Sequence, residues 1–331
     1  MNDFPAKPKR KAVRPIFFVA IGVALVFFGV ISGIAVDLAI RSNDRPASRM
    51  NSGGQQARTQ ALSSPVEEAG SRPERLAGEP VRAWAPDVPA PNLPMVTFAV
   101  ASRAPADRPA IAVVIDDMGV DRARSLRMID LEGPLTLSLM TYADRLPDLA
   151  ARARRAGHEV MAHLPMEPLD PAENPGRGAL MVGMDEAAIR ATLAADLDAW
   201  SGYVGINNHM GSKFTGDRTR MDVVMAELKS RGLLWLDSKT VPGSSGTAAA
   251  QAAGVPFVER DVFIDNEQTV EAVLAQLAEA EKIALARGTA IAIGHPHDAT
   301  LAALQRWLPS VRDRIALVPV TEILRRRTAG P

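Results

Sequence analysis

Two adjacent carboxylates close a short apolar run: IAVVIDDMG, residues 111–119, passes from five aliphatic residues into Asp116 and Asp117, just before Gly119. A wholly apolar run of this length suits a strand buried on both faces. Enzymes of the α/β class place their chemistry at the ends of such strands. One Asp there needs no more than a helix cap to explain it. Two together repel each other, and a cation or a shared proton relieves that repulsion. Other groups able to do chemistry stand at comparable places. His163 ends the run in GHEVMAHLPMEP; Asn207, Asn208 and His209 end the run in GINNHMGS. Asp237 closes LWLD in LWLDSKT, and His295 follows AIAIG in AIAIGHPH. Acids and imidazoles at the same end of successive parallel strands converge on one mouth. One Asp with two His is the ligand set of many zinc sites that keep a position open for water.

Each of these residues also has a plainer reading. His163 is at its plainest the polar end of a strand, although Pro165 and Pro168 stiffen the loop behind it. His209 sits among Asn207, Asn208 and Gly211, which also make a simple turn. Glu167, four residues after His163, is either a ligand or a surface acid. Asp237, ahead of Ser238–Lys239–Thr240, is either a site residue or the cap of a turn. His158 lies five residues before His163 and faces the other side of an extended strand. It reads as a buried, hydrogen-bonded histidine, and His297 as a surface one.

The elements that must position these groups follow from the apolar pattern. Strands are expected at Ile111–Ile115, Leu135–Leu139, Glu159–Ala162, Val204–Ile206, Leu233–Leu236, Val262–Ile264, Ala290–Ile293 and Ile315–Val318. Helices are expected at Leu146–Ala156, Asp185–Trp200, Arg220–Ser230, Val270–Arg287 and Ala299–Leu308, several of them stopped by a glycine. Alternation repeated this often predicts a parallel α/β sheet, closed or open. About 220 residues suit a barrel of seven or eight strands; a doubly wound sheet is the alternative.

Ahead of this domain the composition changes. Residues 1–14 form a basic tail, with Lys7, Lys9, Arg10, Lys11 and Arg14 against Asp3 alone. No charged residue occurs from Ile16 to Val36, a length of about 31 Å as a helix, enough to cross a bilayer core. Residues 15–40 are therefore expected to be an uncleaved signal-anchor in the inner membrane. The basic flank stays cytoplasmic and the rest lies outside, in the periplasm. Residues 41–108 read as a flexible linker, rich in Ser, Gly and Pro, with no apolar period. Within it WAPDVPAPNLP has a reason to pack on the domain, since Trp84 is costly to leave in water. Thirty-eight basic residues balance 38 acidic ones, so nothing points to a nucleic-acid partner. No cysteine is present, which excludes disulfides and thiolate ligands.

Taken in order, VIDDMG, GHEVMAHLPMEP, NNHMGS, LDSKT and IGHPH resemble the divergent polysaccharide deacetylase family, over roughly Pro109 to Thr321. The resemblance implies an irregular (β/α)7-type barrel at 109–325 that removes N- or O-acetyl groups from a glycan with the help of a divalent metal, Zn2+ as first choice. In the broader carbohydrate esterase group the first Asp of the pair is the general base and the second binds the metal. Here these are Asp116 and Asp117. The first His of the second motif, a ligand, is His163. The second ligand position of that motif holds Glu167, so either Glu167 or His209 of the next strand completes the shell. His209 restores an Asp–His–His set. His295 corresponds to the acid that protonates the leaving group, with Asp237 to orient it or to hold a sugar hydroxyl. The Arg and Trp motifs of typical members are not evident. The expected function is deacetylation of an envelope polysaccharide. The alternative is a membrane-tethered, catalytically weak glycan-binding or envelope-assembly module that keeps the metal cleft.

Overall fold

The computed structural model of the protein describes residues 93–329, all within the unit Leu76–Pro331. A short helix, α1 (Pro94–Thr97), leads into β1 (Ala110–Met118). Helices and strands then alternate through α2 (Arg122–Ile129), β2 (Thr136–Met140), α3 (Leu146–Arg155), β3 (Glu159–Met166), α4 (Glu186–Asp198) and β4 (Gly205–Met210). After a 3-10 turn at Phe214–Gly216 come α5 (Arg218–Arg231), β5 (Leu234–Asp237), α6 (Gly246–Ala253), β6 (Phe257–Glu259) and β7 (Val262–Phe263). The chain ends through α7 (Val270–Arg287), β8 (Thr289–Gly294), α8 (Asp298–Val311), β9 (Ala316–Leu317) and α9 (Val320–Thr328). Local chemistry sets these limits. Asp121, Asp185, Asp217 and Thr269 each accept the backbone N–H three residues on, capping α2, α4, α5 and α7. Gly232 and Gly288 end α5 and α7 at φ 67 and 83, where any other residue would be strained.

Every strand pair is parallel, in the order β6-β5-β4-β3-β2-β1-β8-β7, with β9 paired to β1 alone. Only Arg260 and Asp261 separate β6 from β7, and they change partners. Arg260 N bonds to Asp237 O beside β5, whereas Asp261 N bonds to Ile291 O on β8. The Asp261 carboxylate then accepts Ile291 N at 2.8 Å. One continuous segment thus borders both ends of the ladder, and this parallel α/β sheet fits a (β/α) barrel.

Period-two alternation sorts the strand residues onto two faces. Ile111, Val113, Ile115, Leu137, Val160, Ile206 and Trp235 pack on the helices. Ala110, Ala112, Val114, Met161, Leu234, Leu236, Ile291 and Ile293 fill the enclosed side, together with Val320, Ile323 and Leu324 of α9. At the start of the strands, Thr136 Oγ1 accepts Val320 N at 3.1 Å and the Glu159 carboxylate accepts Thr321 N at 3.1 Å. This end is therefore plugged by α9. Burial pushes the Glu159 carboxyl up to about 7, against the hydrogen bonds from Thr321, Val100 and Val320.

The pattern missed four helices, α1, α2, α6 and α9, and the short strand β6. Of the expected strand at 315–318 only Ala316–Leu317 pairs. Part of the expected linker belongs to the domain: Leu93 is fully buried, and Phe98 O accepts Arg154 Nη1 at 2.7 Å. The expected basic tail and anchor, and the linker before residue 93, lie outside the described residues. Among the described residues no helix is long and apolar enough to cross a membrane.

Candidate metal centre

The enclosed rows of the sheet end in polar residues. Asp116 continues the row of Ala112 and Val114; His163 continues from Met161, Ser238 from Leu236 and His295 from Ile293. A regular strand would turn Asp117 the opposite way from Asp116. A register shift between Ile115 and Met118 and a φ of 56 at Asp117 bring both carboxylates to the mouth. His163 Nε2 lies 3.8 Å from Asp116 Oδ2 and 3.3 Å from Asp117 Oδ1, while His209 Nδ1 lies 2.8 Å from the same Asp117 oxygen. The His163 and His209 rings meet edge to face at 5.1 Å. One ligand atom from each of Asp117, His163 and His209 falls within 4.8 Å of the other two.

Asn207, fully buried on β4, organises this group from behind. Its Nδ2 donates to Asp116 Oδ1 at 2.8 Å and to Ser238 Oγ at 3.1 Å. A carboxylate only accepts, so the amide oxygen must face the other way. There it accepts from the Ser138 hydroxyl and, at 2.9 Å, from His163 Nδ1. His163 Nδ1 is thereby engaged by the amide, which leaves Nε2 as the ring nitrogen that faces Asp117. Gly205, at the start of the same strand, lets β4 close on β5: a Cβ there would lie 2.3 Å from Leu234 O.

The fit of this site to a cation shows in one atom. Asp117 Oδ1 is buried and receives no hydrogen bond of acceptable geometry, although both imidazoles stand close. Burial works against charge on Asp117, but the two histidines outweigh it and hold its carboxyl well below the usual carboxylate range. Carboxylate oxygen, Nε2 and Nδ1 form an N/O donor set suited to a divalent ion of zinc type.

His295 lies on the far side of Asp116. Its Nδ1 is 3.1 Å from Asp265 Oδ1, its backbone N–H donates to Asp265 Oδ2 at 2.5 Å, and Thr300 Oγ1 donates to the same oxygen at 2.8 Å. Burial lowers the His295 pKa; the Asp265 contact and charge reverse this and carry it to about 9.

The structure brings Asp116, Asp117, His163, His209 and His295 together and leaves two expected residues out. The Glu167 carboxylate is taken by Lys213 Nζ at 2.6 Å and Val182 N at 2.5 Å, away from the Asp117–His163–His209 cluster. Asp237 is out of phase by one residue: it shares the helix-facing row with Trp235 and bonds to Ser244 Oγ and Lys239 N. The acid on His295 is Asp265 instead. It follows VFI as Asp116 follows VVI, the signal that would have revealed it. His158 is a buried histidine at the start of β3, bonded to Leu135 N and Ile129 O. His297 is half-buried rather than exposed, with its ring 5.7 Å from that of His295.

Residues 113–324 match the divergent polysaccharide deacetylase family. The chain belongs to this family. Among its relatives, the Escherichia coli K12 protein described as uncharacterized protein YibQ is 33% identical over 216 residues, 65% of this chain and 67% of that protein. A protein of Haemophilus influenzae, also described as uncharacterized, is 29% identical over 221 residues, 67% of this chain and 79% of its own length. The crystal structure of ATU2773 from Agrobacterium tumefaciens C58 superposes with a TM-score of 0.67 at 29% identity, over 70% of this chain and 95% of that one. The second imidazole of the Asp117–His163–His209 cluster, His209, stands on β4, one strand on from His163.

Proposed function

We propose that the protein is a metal-dependent deacetylase that hydrolyses N- or O-acetyl groups on an envelope glycan. The observation that carries this reading is the buried, unbonded Asp117 Oδ1 facing His163 Nε2 and His209 Nδ1. Asp117, His163 and His209 would hold the ion, with zinc as the first choice. When bound, it supplies Lewis acidity toward the acetyl carbonyl and a lowered pKa for a nearby water. Asp116 takes the proton from the attacking water at Oδ2, because Oδ1 is engaged by Asn207. His295, charged at neutral pH and tethered through Nδ1 to Asp265, delivers a proton from Nε2 to the departing amine or alcohol. The strained backbone at Asp117 sets the two carboxylates side by side for separate duties. In the same reading β6 and β7 count as one bent strand, which makes the sheet an irregular (β/α)7 barrel. Residues 15–40 anchor the chain in the inner membrane with the domain on the periplasmic side.

The decisive assay is acetate release from acetylated envelope glycan by zinc-loaded protein. Asp116→Asn and His163→Ala should each lower it by about a hundredfold or more. Release that is indifferent to both substitutions would refute the assignment. Retention of the glycan without any release of acetate would identify a binding module instead.

A further inference from the structure

Arg260 is a guanidinium without an acid. It is half-buried at the passage from β6 to β7. Its Nε donates to Ser238 O at 2.7 Å and its Nη2 to Lys239 O at 3.0 Å. These contacts use two of the five N–H groups a guanidinium carries. They fix the fork in place without a bonded carboxylate. Asp116, Asp237 and Asp261 are the acids near enough to act on it, yet each is committed elsewhere. Asp116 is bonded to Asn207, Asp237 to Ser244 and Lys239 N, and Asp261 to Arg327 and Ile291 N. No carboxylate among the described residues forms an ion pair with Arg260. Lys239, its neighbour on the rim, has a loose contact with Glu259 at 3.6 Å.

The position of this cation relative to the site is informative. The guanidinium carbon stands 5.3 Å from the centre of the Phe263 ring, and that ring lies 5.2 Å from the His295 ring. Arg260, Phe263 and His295 thus form one wall of the mouth. A partly desolvated cation with no carboxylate bonded to it is costly to maintain for structure alone. A planar fork with free N–H donors matches a carboxylate in two parallel hydrogen bonds.

We propose that Arg260 binds a carboxylate of the substrate, so that the glycan deacetylated here is an acidic polysaccharide. This rests on the deacetylase reading for the reaction, although the binding itself does not require it. The wall that Arg260 shares with His295 also locates the charge. His295 protonates the group that leaves, and in deacetylation that group is the sugar. The carboxylate therefore belongs to the deacetylated residue or to its neighbour along the glycan, not to the acyl group.

The test uses the full chain and two probes of equal length: an acetylated oligosaccharide alternating N-acetylglucosamine with glucuronate, and a neutral N-acetylglucosamine oligosaccharide. Binding is measured by calorimetry and acetate release in parallel, for the wild type, R260Q and R260K. Wild type should bind the carboxylated probe at least about tenfold more tightly, R260Q should lose that preference, and R260K should keep only part of it. Circular dichroism melts establish that the variants are folded. Equal binding of the two probes by wild type, no measurable binding of the carboxylated probe, or a preference that survives R260Q overturns the proposal. Preference for the carboxylated probe without acetate release from either refutes the deacetylase reading and leaves the role of Arg260 standing.

Discussion

Replacing Asn207 by alanine removes four hydrogen bonds at once from a place that is fully buried. The amide donates to Asp116 and Ser238 and accepts from Ser138 and His163. A buried hydrogen bond contributes about 1 kcal/mol net, and a partner left unsatisfied costs about 1–3 kcal/mol. The two serine hydroxyls, which both donate and accept, can rotate to other partners. Asp116 Oδ1 and His163 Nδ1 cannot, so the loss should be about 3–5 kcal/mol, a fall in Tm of roughly 10 °C for a domain of this size. The second effect is on the metal. Without Asn207 nothing fixes the His163 tautomer, and loss of such an outer partner lowers metal affinity by about 10–100-fold. Zinc competition against a chromophoric chelator, run alongside thermal melts, measures both. Asn207→Asp separates them: it can still accept from His163 Nδ1, but it places a carboxylate against Asp116. It should therefore melt at least as early as the alanine variant while binding zinc more tightly than it does. A folded Asn207→Ala protein with zinc affinity within about threefold of wild type would refute the claim that this amide organises the centre.

Two further expectations concern protons. In the proposed mechanism His295, its pKa raised to about 9 by Asp265, donates as an imidazolium, so turnover should fail as pH climbs through that value. Asp265→Asn should move the alkaline limb of the kcat profile down toward the ordinary histidine range, and an unmoved limb would show that Asp265 does not act through His295. Glu159 titrates at about 7 in the fold against 4.5 for the free group. The folded state therefore holds the extra proton between those values, and stability should decline as pH rises through this window and level off above it. The decline should amount to about 3 kcal/mol at most. Glu159→Gln should flatten it in urea titrations, and an equal slope in both proteins would contradict the assignment.

Most of the scaffold was legible because its strands are apolar runs and two of its longer helices, α5 and α7, stop at glycines. The elements that escaped are those whose sequences carry little pattern. Helix α2 reads RARSLRMI and buries only Ser125, Met128 and Ile129. Helix α6 is mostly alanine, and α9 ends in three arginines. Strand β6 is three residues long and owes its existence to pairing with β5. For the site, strand ends were the right places to look, but alternation decides which end residue faces inward. Asp237 lost to Ser238 by one position. Asp117 escaped the same fate only through a backbone irregularity that no spacing rule announces. Asn207 was visible in NNH as a turn former, and its actual role depends on four partners, three on β1, β2 and β3 and the fourth, Ser238, just past β5. Arg260 stands at a change of pairing partner, a purely three-dimensional event, whereas Asp265 was legible as the acid that closes VFI.

If Asp117, His163 and His209 hold the ion as proposed, Glu167 stands where the site does without a ligand. In the second motif a histidine four residues after His163 would have to return from the β3–α4 loop to the mouth. Glu167 ties that loop down instead. Its backbone bonds to Leu180 O and accepts from Lys213 and Phe214, and its side chain holds Val182 N and Lys213 Nζ. The loop is thereby stapled to the segment that follows β4. That segment begins at Met210, where a φ of 51 turns the chain directly after His209. The same contacts that turn Glu167 away from the Asp117–His163–His209 cluster thus secure the loop beside His209. A return of histidine to position 167 would leave Lys213 without its acid and the loop without its anchor, so a site rebuilt to the usual pattern should be less ordered than the one this chain carries.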